Sequence, residues 1–226
     1  MSFIEARNHF EAQAGRDDAV EAAGHLVTIA ASLTKIANDL RLLASGPRCG
    51  LAEIRLPATQ PGSSIMPGKV NPVMCEMLVQ VCLYTQGLAN MVALCGREGQ
   101  LELNATIPLI AFALHEAVRC LSNGVRVFAD ACVHGIQADV THCGELADRS
   151  LMLATALNPH LGYDKAASVA KEALATNRTL KEILLERRWM DADTVGRVLA
   201  PLAMDRQAGV ALPGNALSSP PPLGPG

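Results

Sequence analysis

The residues best placed to do chemistry stand together at Gly62-Ser63-Ser64-Ile65-Met66-Pro67-Gly68-Lys69-Val70-Asn71-Pro72. This segment supplies two hydroxyls, an ammonium and a carboxamide, and it leads into a strongly apolar run that reads as a helix. Backbone N–H groups at a helix N-terminus favour an anion, and Lys69 adds a full positive charge. Asn71 can donate to an oxygen unless it serves as the helix cap. Such a set suits a small carboxylate or phosphate. It is not a phosphate-binding P-loop, because five residues separate Gly62 from Gly68 and Val70 stands where the hydroxyl belongs. Spacing alone also leaves open a Gly/Ser/Pro loop carrying one solvated lysine.

Glu76 follows within the first turn of that apolar run. Residues 77–96 carry no charge, which makes Glu76 the only charged residue of the helix. A carboxylate in such surroundings calls for a partner, although an acidic residue near a helix N-terminus is also favoured by the helix dipole.

These residues need a scaffold, and the composition points to helices. Of 226 residues, 50% are hydrophobic but only 3% aromatic, so the core is built from Ala, Leu, Val, Ile and Met. Residues 17–44 carry Ala23, Leu26, Ala30, Leu33, Ala37, Leu40 and Ala44 at steps of three and four, a stripe for close helix–helix contact. Ser45-Gly46-Pro47 ends that helix, with Gly46 as a left-handed cap. A long Gly- and Pro-rich loop runs from Arg48 to Asn71. Asn71 then caps the next helix, with Pro72 as its first residue and Met74, Val81, Leu88 and Cys95 as its seam, extended by Met77, Leu78, Tyr84, Met91 and Val92. Gln80, Thr85, Gln86 and Asn90 interrupt this stretch, so it reads as a helix enclosed by other helices and not as a membrane span.

A polar break, Gly96 to Asn104, precedes a third helix over 108–132. Shorter helices follow at 141–156, 163–176, 179–187 and 192–199. The third of these opens on a capping box, Thr179 to Glu182. The expected fold class is all-α. A long helical bundle occupies residues 1–134 and carries the loop 62–72. A small helical domain occupies 135–204, and a disordered Pro/Gly-rich tail occupies 205–226.

Other function classes are weakened by what the sequence holds. The net charge of −3 gives no bulk attraction to nucleic acid or to an anionic membrane. Basic residues over 163–188 superficially suggest a helix-turn-helix, but Asp164, Glu172, Glu182 and Glu186 interleave with them. The seven cysteines form no C-x-x-C pair, so no metal site is expected and most of the thiols read as buried or inert. Their odd number and the absence of a secretory signal predict a reducing compartment: the cytoplasm, or the mitochondrion of a eukaryotic cell.

The segment GSSIMPGKVNP resembles the signature of the class II fumarase/aspartase superfamily, G-S-S-x-M-P-x-K-x-N. KIANDLRLLASGPRCGLAEIRLPATQPGSS upstream, and GQLELN and ALNPHLGYDKAA downstream, are similar to the same family in one collinear order over residues 5–204. The resemblance implies anti addition of water or an amine across fumarate, and its reverse, without a cofactor. Carried over by position, Ser63 resembles the catalytic base. Ser64, Lys69, Val70 and Asn71 fall within the substrate-binding signature, and Glu76 matches an acidic residue that pairs with a catalytic histidine. It further implies a small dicarboxylate substrate, fumarate or malate, and a homotetramer with composite active sites. Gly68 and GYDKAA look more like fumarases, with aspartate ammonia-lyase or another fumarate-forming lyase as the alternative. The family's Thr-His segment has no counterpart here, since His9, His25, His115, His134, His142 and His160 lie in no matching motif. Residues 1–226 are therefore expected to be inactive alone.

Overall fold

The computed structural model describes residues 4–60 and 70–200, and these divide into two compact units between Asp139 and Val140. The tail expected over 205–226 lies outside the described residues.

The first unit is built on three long helices. After a short helix α1 (His9–Ala14) come α2 (Asp17–Leu43), α3 (Val73–Gly96) and α4 (Ile107–Ala131). The Ala/Leu stripe of α2 does what its spacing predicts. Ala23, Ala30 and Ala37 are fully buried, with Leu26, Leu33 and Leu40 packed beside them. One apolar cluster joins Ala23 to Leu88, Ala89, Val92 and Cys95 of α3 and to Ile110, Ala113 and Ala117 of α4. A second joins Ala30 and Ala37 to Cys75, Leu78, Cys82, Leu121 and Phe128. This order makes α3 antiparallel to both neighbours, with small side chains allowing close approach. At the end of α3 a Cβ on Gly96 would lie 2.6 Å from Val20 Cγ2 of α2.

Two expectations for this unit are corrected. The buried seam of α3 is Cys75, Leu78, Cys82, Thr85, Leu88, Ala89, Val92 and Cys95, whereas Met74, Val81, Met77 and Met91 are only half-buried and Tyr84 is exposed. Within this single chain Leu83 is 60% exposed, and Tyr84 and Leu94 are exposed beside it. At the other end of the loop, Ala44 closes α2 in a right-handed conformation. Gly46 takes φ 139°, outside the left-handed helical well, ahead of a cis Gly46–Pro47 bond.

The chain after α2 folds back on that helix end. Ser45 Oγ donates to the Leu42 carbonyl and accepts from the Leu51 N–H, and the Glu53 N–H reaches the Leu43 carbonyl. Strand β1 (Ile54–Arg55) then pairs antiparallel with β2 (Gln137–Ala138), and Arg55 bridges to Asp139 at 3.0 Å. Gly135 lies so close to Pro57 that a Cβ there would come within 2.4 Å of the proline ring.

The polar break between α3 and α4 is a buried clamp. Asn104 is 1% exposed; its Nδ2 donates to the Cys95 carbonyl and its Oδ1 accepts from the N–H and hydroxyl of Thr106. Thr106 Oγ1 lies 2.9 Å from the Cys95 carbonyl as well, so its single proton goes either to that carbonyl or to Asn104, and one carbonyl at the end of α3 anchors the start of α4.

The second unit holds α5 (Val140–Asp148), a 3-10 segment Leu151–Leu157, α6 (Asn158–Leu161), α7 (Tyr163–Thr176), α8 (Leu180–Glu186) and α9 (Ala192–Val198). The single helix expected over 141–156 is broken at Ser150, whose backbone is extended. Leu153, Leu157, Val169, Leu180, Ile183, Leu184 and Val195 form its core. The capping box is present: Thr179 Oγ1 accepts from the Glu182 N–H, and the Glu182 carboxylate accepts from the Thr179 N–H. Asn177 ends α7 in the left-handed conformation (φ 52°), and Trp189 packs under Lys165 and Arg187.

Candidate functional site

The described residues on either side of 61–69 meet around one small cavity. Leu56, Pro57 and Thr59 line it from the incoming strand, Asn71, Pro72, Val73 and Met74 from the start of α3, and Cys132 from the end of α4. It has room for about one water molecule. The β1–β2 pairing and the Gly135–Pro57 contact hold the incoming side, and the second apolar cluster holds α3. Both feet of the signature loop are therefore fixed to the bundle.

Asn71 is half-buried at this cavity, Val70 is 53% exposed, and Glu76 is half-buried within the first turn of α3. Ser63, Ser64 and Lys69 lie outside the described residues. Asn71 is not the helix cap. Pro72 holds that position, its φ −79°, ψ 54° lying outside the helical region, and the Glu76 N–H bonds to the Pro72 carbonyl at 3.1 Å. The Asn71 side-chain oxygen is therefore not spent on capping α3. The positive end of the α3 dipole lies beside it. Glu76 makes no ion pair among the described residues.

Two groups at this place were not singled out from the sequence as site residues. Thr59 and Cys132 share the cavity with Asn71, and their separation in sequence left no local signal. Cys132 shares a buried apolar cluster with Cys75, which is next to Glu76 in the chain. Burial, followed by the Cys132 thiol, pushes Cys75 up to about 12 despite the opposing influence of Arg41. Burial also raises Cys132. Both are neutral thiols at neutral pH, which excludes them as ready nucleophiles there.

The histidines lie on the surface or at helix ends. His9, His25 and His134 each face a carboxylate four residues earlier in the chain, and His115 and His160 are exposed. No group of three or more His, Cys, Asp or Glu residues that could hold a metal occurs among the described residues. In the second unit Arg178 pairs with Glu186 and Arg187 with Glu172, so part of the basic character of that helix pair is neutralised internally.

Comparison with known proteins decides the family. A lyase family model matches residues 1–87, and a fumarase C C-terminus model matches residues 153–206. The chain is 48% identical over 206 residues to a class II fumarate hydratase of Rickettsia bellii, which covers 91% of this chain and 44% of the relative. The chain belongs to the class II fumarase/aspartase superfamily. Its structure is similar to that of a fumarate lyase:delta crystallin of Brucella melitensis bound to cobalt, with TM-score 0.86 and 47% identity over 89% of this chain and 44% of that one. A class II fumarase of Schistosoma mansoni matches with TM-score 0.80 and 42% identity, over 89% of this chain and 42% of that one. The chain thus spans less than half the length of the fumarases it matches. The helical fold is that of the superfamily, and the fumarase-type lyase relationship extends through both units.

Proposed function

We propose that this chain contributes the signature-loop part of a fumarate hydratase, catalysing reversible anti addition of water to fumarate to give malate. The observation that carries this reading is the 48% identity to a class II fumarate hydratase across both units, with the loop 62–72 in its collinear place. In the reverse direction, elimination of water from malate, Ser63 removes the proton next to a carboxylate, and the resulting charge spreads onto that carboxylate. Ser64, Lys69, Asn71 and the backbone at Val70 donate to the substrate carboxylates. Donors directed at the more highly charged intermediate stabilise it more than the substrate and so lower the barrier. A serine hydroxyl titrates far above neutrality, so the same cation and N–H groups must also stabilise the Ser63 alkoxide. Glu76 pairs with a histidine supplied by the part of the relatives' length that this chain does not span.

The working enzyme is a homotetramer with composite sites in a reducing compartment, the cytoplasm or, in a eukaryotic cell, the mitochondrion. The exposed apolar side chains of α3 and α4, Leu83, Tyr84, Leu94, Phe112, Val118 and Val127, supply the surface that such an assembly covers. The test combines this chain with the remaining N-terminal part of the Rickettsia bellii relative and follows fumarate absorbance from malate and from aspartate. Turnover of malate but not aspartate is expected. Turnover of aspartate alone would replace the reading with that of an ammonia-lyase.

A further inference from the structure

Leu56, Pro57 and Thr59, which share the small cavity with Asn71, follow directly on β1. That strand is gripped by the stretch after α4. Ile54 pairs with Ala138 and Arg55 with Gln137, the Asp139 N–H donates to the Glu53 carbonyl at 2.9 Å, and Arg55 Nη2 donates to Asp139 Oδ2 at 3.0 Å. Asp139 thus holds Glu53 through its backbone and Arg55 through its side chain. Gly135 completes the contact: a Cβ there would lie 2.4 Å from Pro57 Cγ and 3.3 Å from Pro57 Cβ. A proline ring cannot swing aside as a long side chain does, so the bare backbone at position 135 decides how near Pro57 stands. Asn71, Pro72, Val73 and Met74 line the same cavity, which has room for about one water molecule.

We infer that Gly135 and the Arg55–Asp139 pair are positioning residues for the reaction proposed above, setting how closely the incoming strand packs on the turn that carries Asn71. The chemistry rests on that reading, whereas the positioning is a property of the fold. The two devices complement each other. Gly135 lets the strand approach, and the Arg55–Asp139 pair together with the backbone bridges keeps it from leaving. Gly135→Ala would need the proline ring to retreat by about 1 Å to restore an ordinary carbon–carbon contact. A displacement of that size beside a substrate-binding group is enough to slow a reaction about 100-fold. Arg55→Glu sets two carboxylates against each other across the same clasp. An exposed ion pair contributes little to global stability, so its loss moves the strand without unfolding the bundle, whose core lies in the apolar clusters of α2, α3 and α4.

Two measurements test this. In the 226-residue chain, amide hydrogen exchange is followed at Val73 and Glu76, whose N–H groups donate to the Asn71 and Pro72 carbonyls. Gly135→Ala and Arg55→Glu should each speed that exchange about tenfold, Arg55→Lys should stay within about twofold of wild type, and the amides of α8 should be unchanged in all three. In this chain combined with the remaining N-terminal part of the Rickettsia bellii relative, Gly135→Ala should lower kcat/KM for malate about 10–100-fold and Arg55→Glu about tenfold, each with a raised KM, while Arg55→Lys retains the wild-type values. A merely structural role would reduce the amount of folded enzyme, and so kcat, with KM unmoved. If Gly135→Ala does not fold, Arg55→Glu and Arg55→Lys decide. The inference is overturned if exchange at Val73 and Glu76 is unchanged in the folded variants, or if an active wild-type complex and both variants share one KM. A wild-type complex inactive on malate would count against the proposed activity, and the exchange measurement would then decide the positioning.

Discussion

Asn104→Ala tests whether the junction of α3 and α4 depends on one buried carboxamide. The substitution removes two hydrogen bonds at the Asn104 side chain from backbone groups, the one given to the Cys95 carbonyl at 3.1 Å and the one accepted from the Thr106 N–H at 2.8 Å. It also removes the contact from the Thr106 hydroxyl. The Cys95 carbonyl keeps its bonds from the Thr106 hydroxyl and the Glu98 N–H, so it is not orphaned. The Thr106 N–H loses its partner in a part-buried position. The bond lost at the Cys95 carbonyl, at about 1 kcal/mol, plus about 1–3 kcal/mol for the unpaired Thr106 donor, gives a loss of about 2–4 kcal/mol. Urea unfolding followed by far-ultraviolet circular dichroism is the assay, since the only tryptophan, Trp189, reports on the second unit. Thr106→Val, which retains the N–H···Asn104 bond, should cost less than Asn104→Ala. A loss under about 0.5 kcal/mol for Asn104→Ala would show that water replaces the clamp without penalty and would refute the reasoning.

Three further outcomes follow from groups elsewhere. Thr85 is fully buried in α3 and its hydroxyl has no hydrogen-bond partner among the described residues, so Thr85→Val should be neutral or stabilising by about 1 kcal/mol in the same unfolding assay; a loss above that size would reveal a partner for the hydroxyl. Cys75 is raised from 9.0 to about 12 in the folded protein, so its stabilising contribution is fully present below pH 9.0 and falls between there and about pH 12. The limiting slope is about 1.4 kcal/mol per pH unit, and Cys75→Ala should flatten it; equal alkaline slopes for the two proteins would contradict this. The Glu182 carboxyl is held below its ordinary value mainly by the Thr179 N–H. The contribution of the capping box is therefore present above that ordinary value and lost as pH falls through the lowered one. Glu182→Gln should remove this acid sensitivity from amide exchange in α8, and unchanged sensitivity would count against it.

How much of this was legible in the sequence depended on how distinctive each pattern was. The α2 stripe was legible because polar residues separate its Ala and Leu positions and so fix its phase. In α3 nearly every position is apolar, so periodicity could not separate the Cys75/Leu78/Cys82 seam from the neighbouring Met74/Val81 one. The break at Ser150 has no glycine or proline to announce it, and two-residue strands are too short to show alternation. Thr179 and Glu182 were legible because a capping box is local in sequence. Asn71 was misread as a cap because an Asn-Pro pair suits a helix start, whereas here the proline itself takes the cap position. The signature residues stood out by type and spacing. The company of Asn71, namely Thr59 and Cys132, comes from tertiary contacts that no local pattern records.

The most direct measurement of the central claim is the effect of Ser63→Ala on malate-dependent fumarate formation, in this chain combined with the remaining N-terminal part of the Rickettsia bellii relative. Loss of a positioned base predicts a fall in kcat of about 10²–10⁴-fold with assembly unchanged. Undiminished turnover by the variant, or no turnover from a fully assembled wild-type complex, would contradict the account.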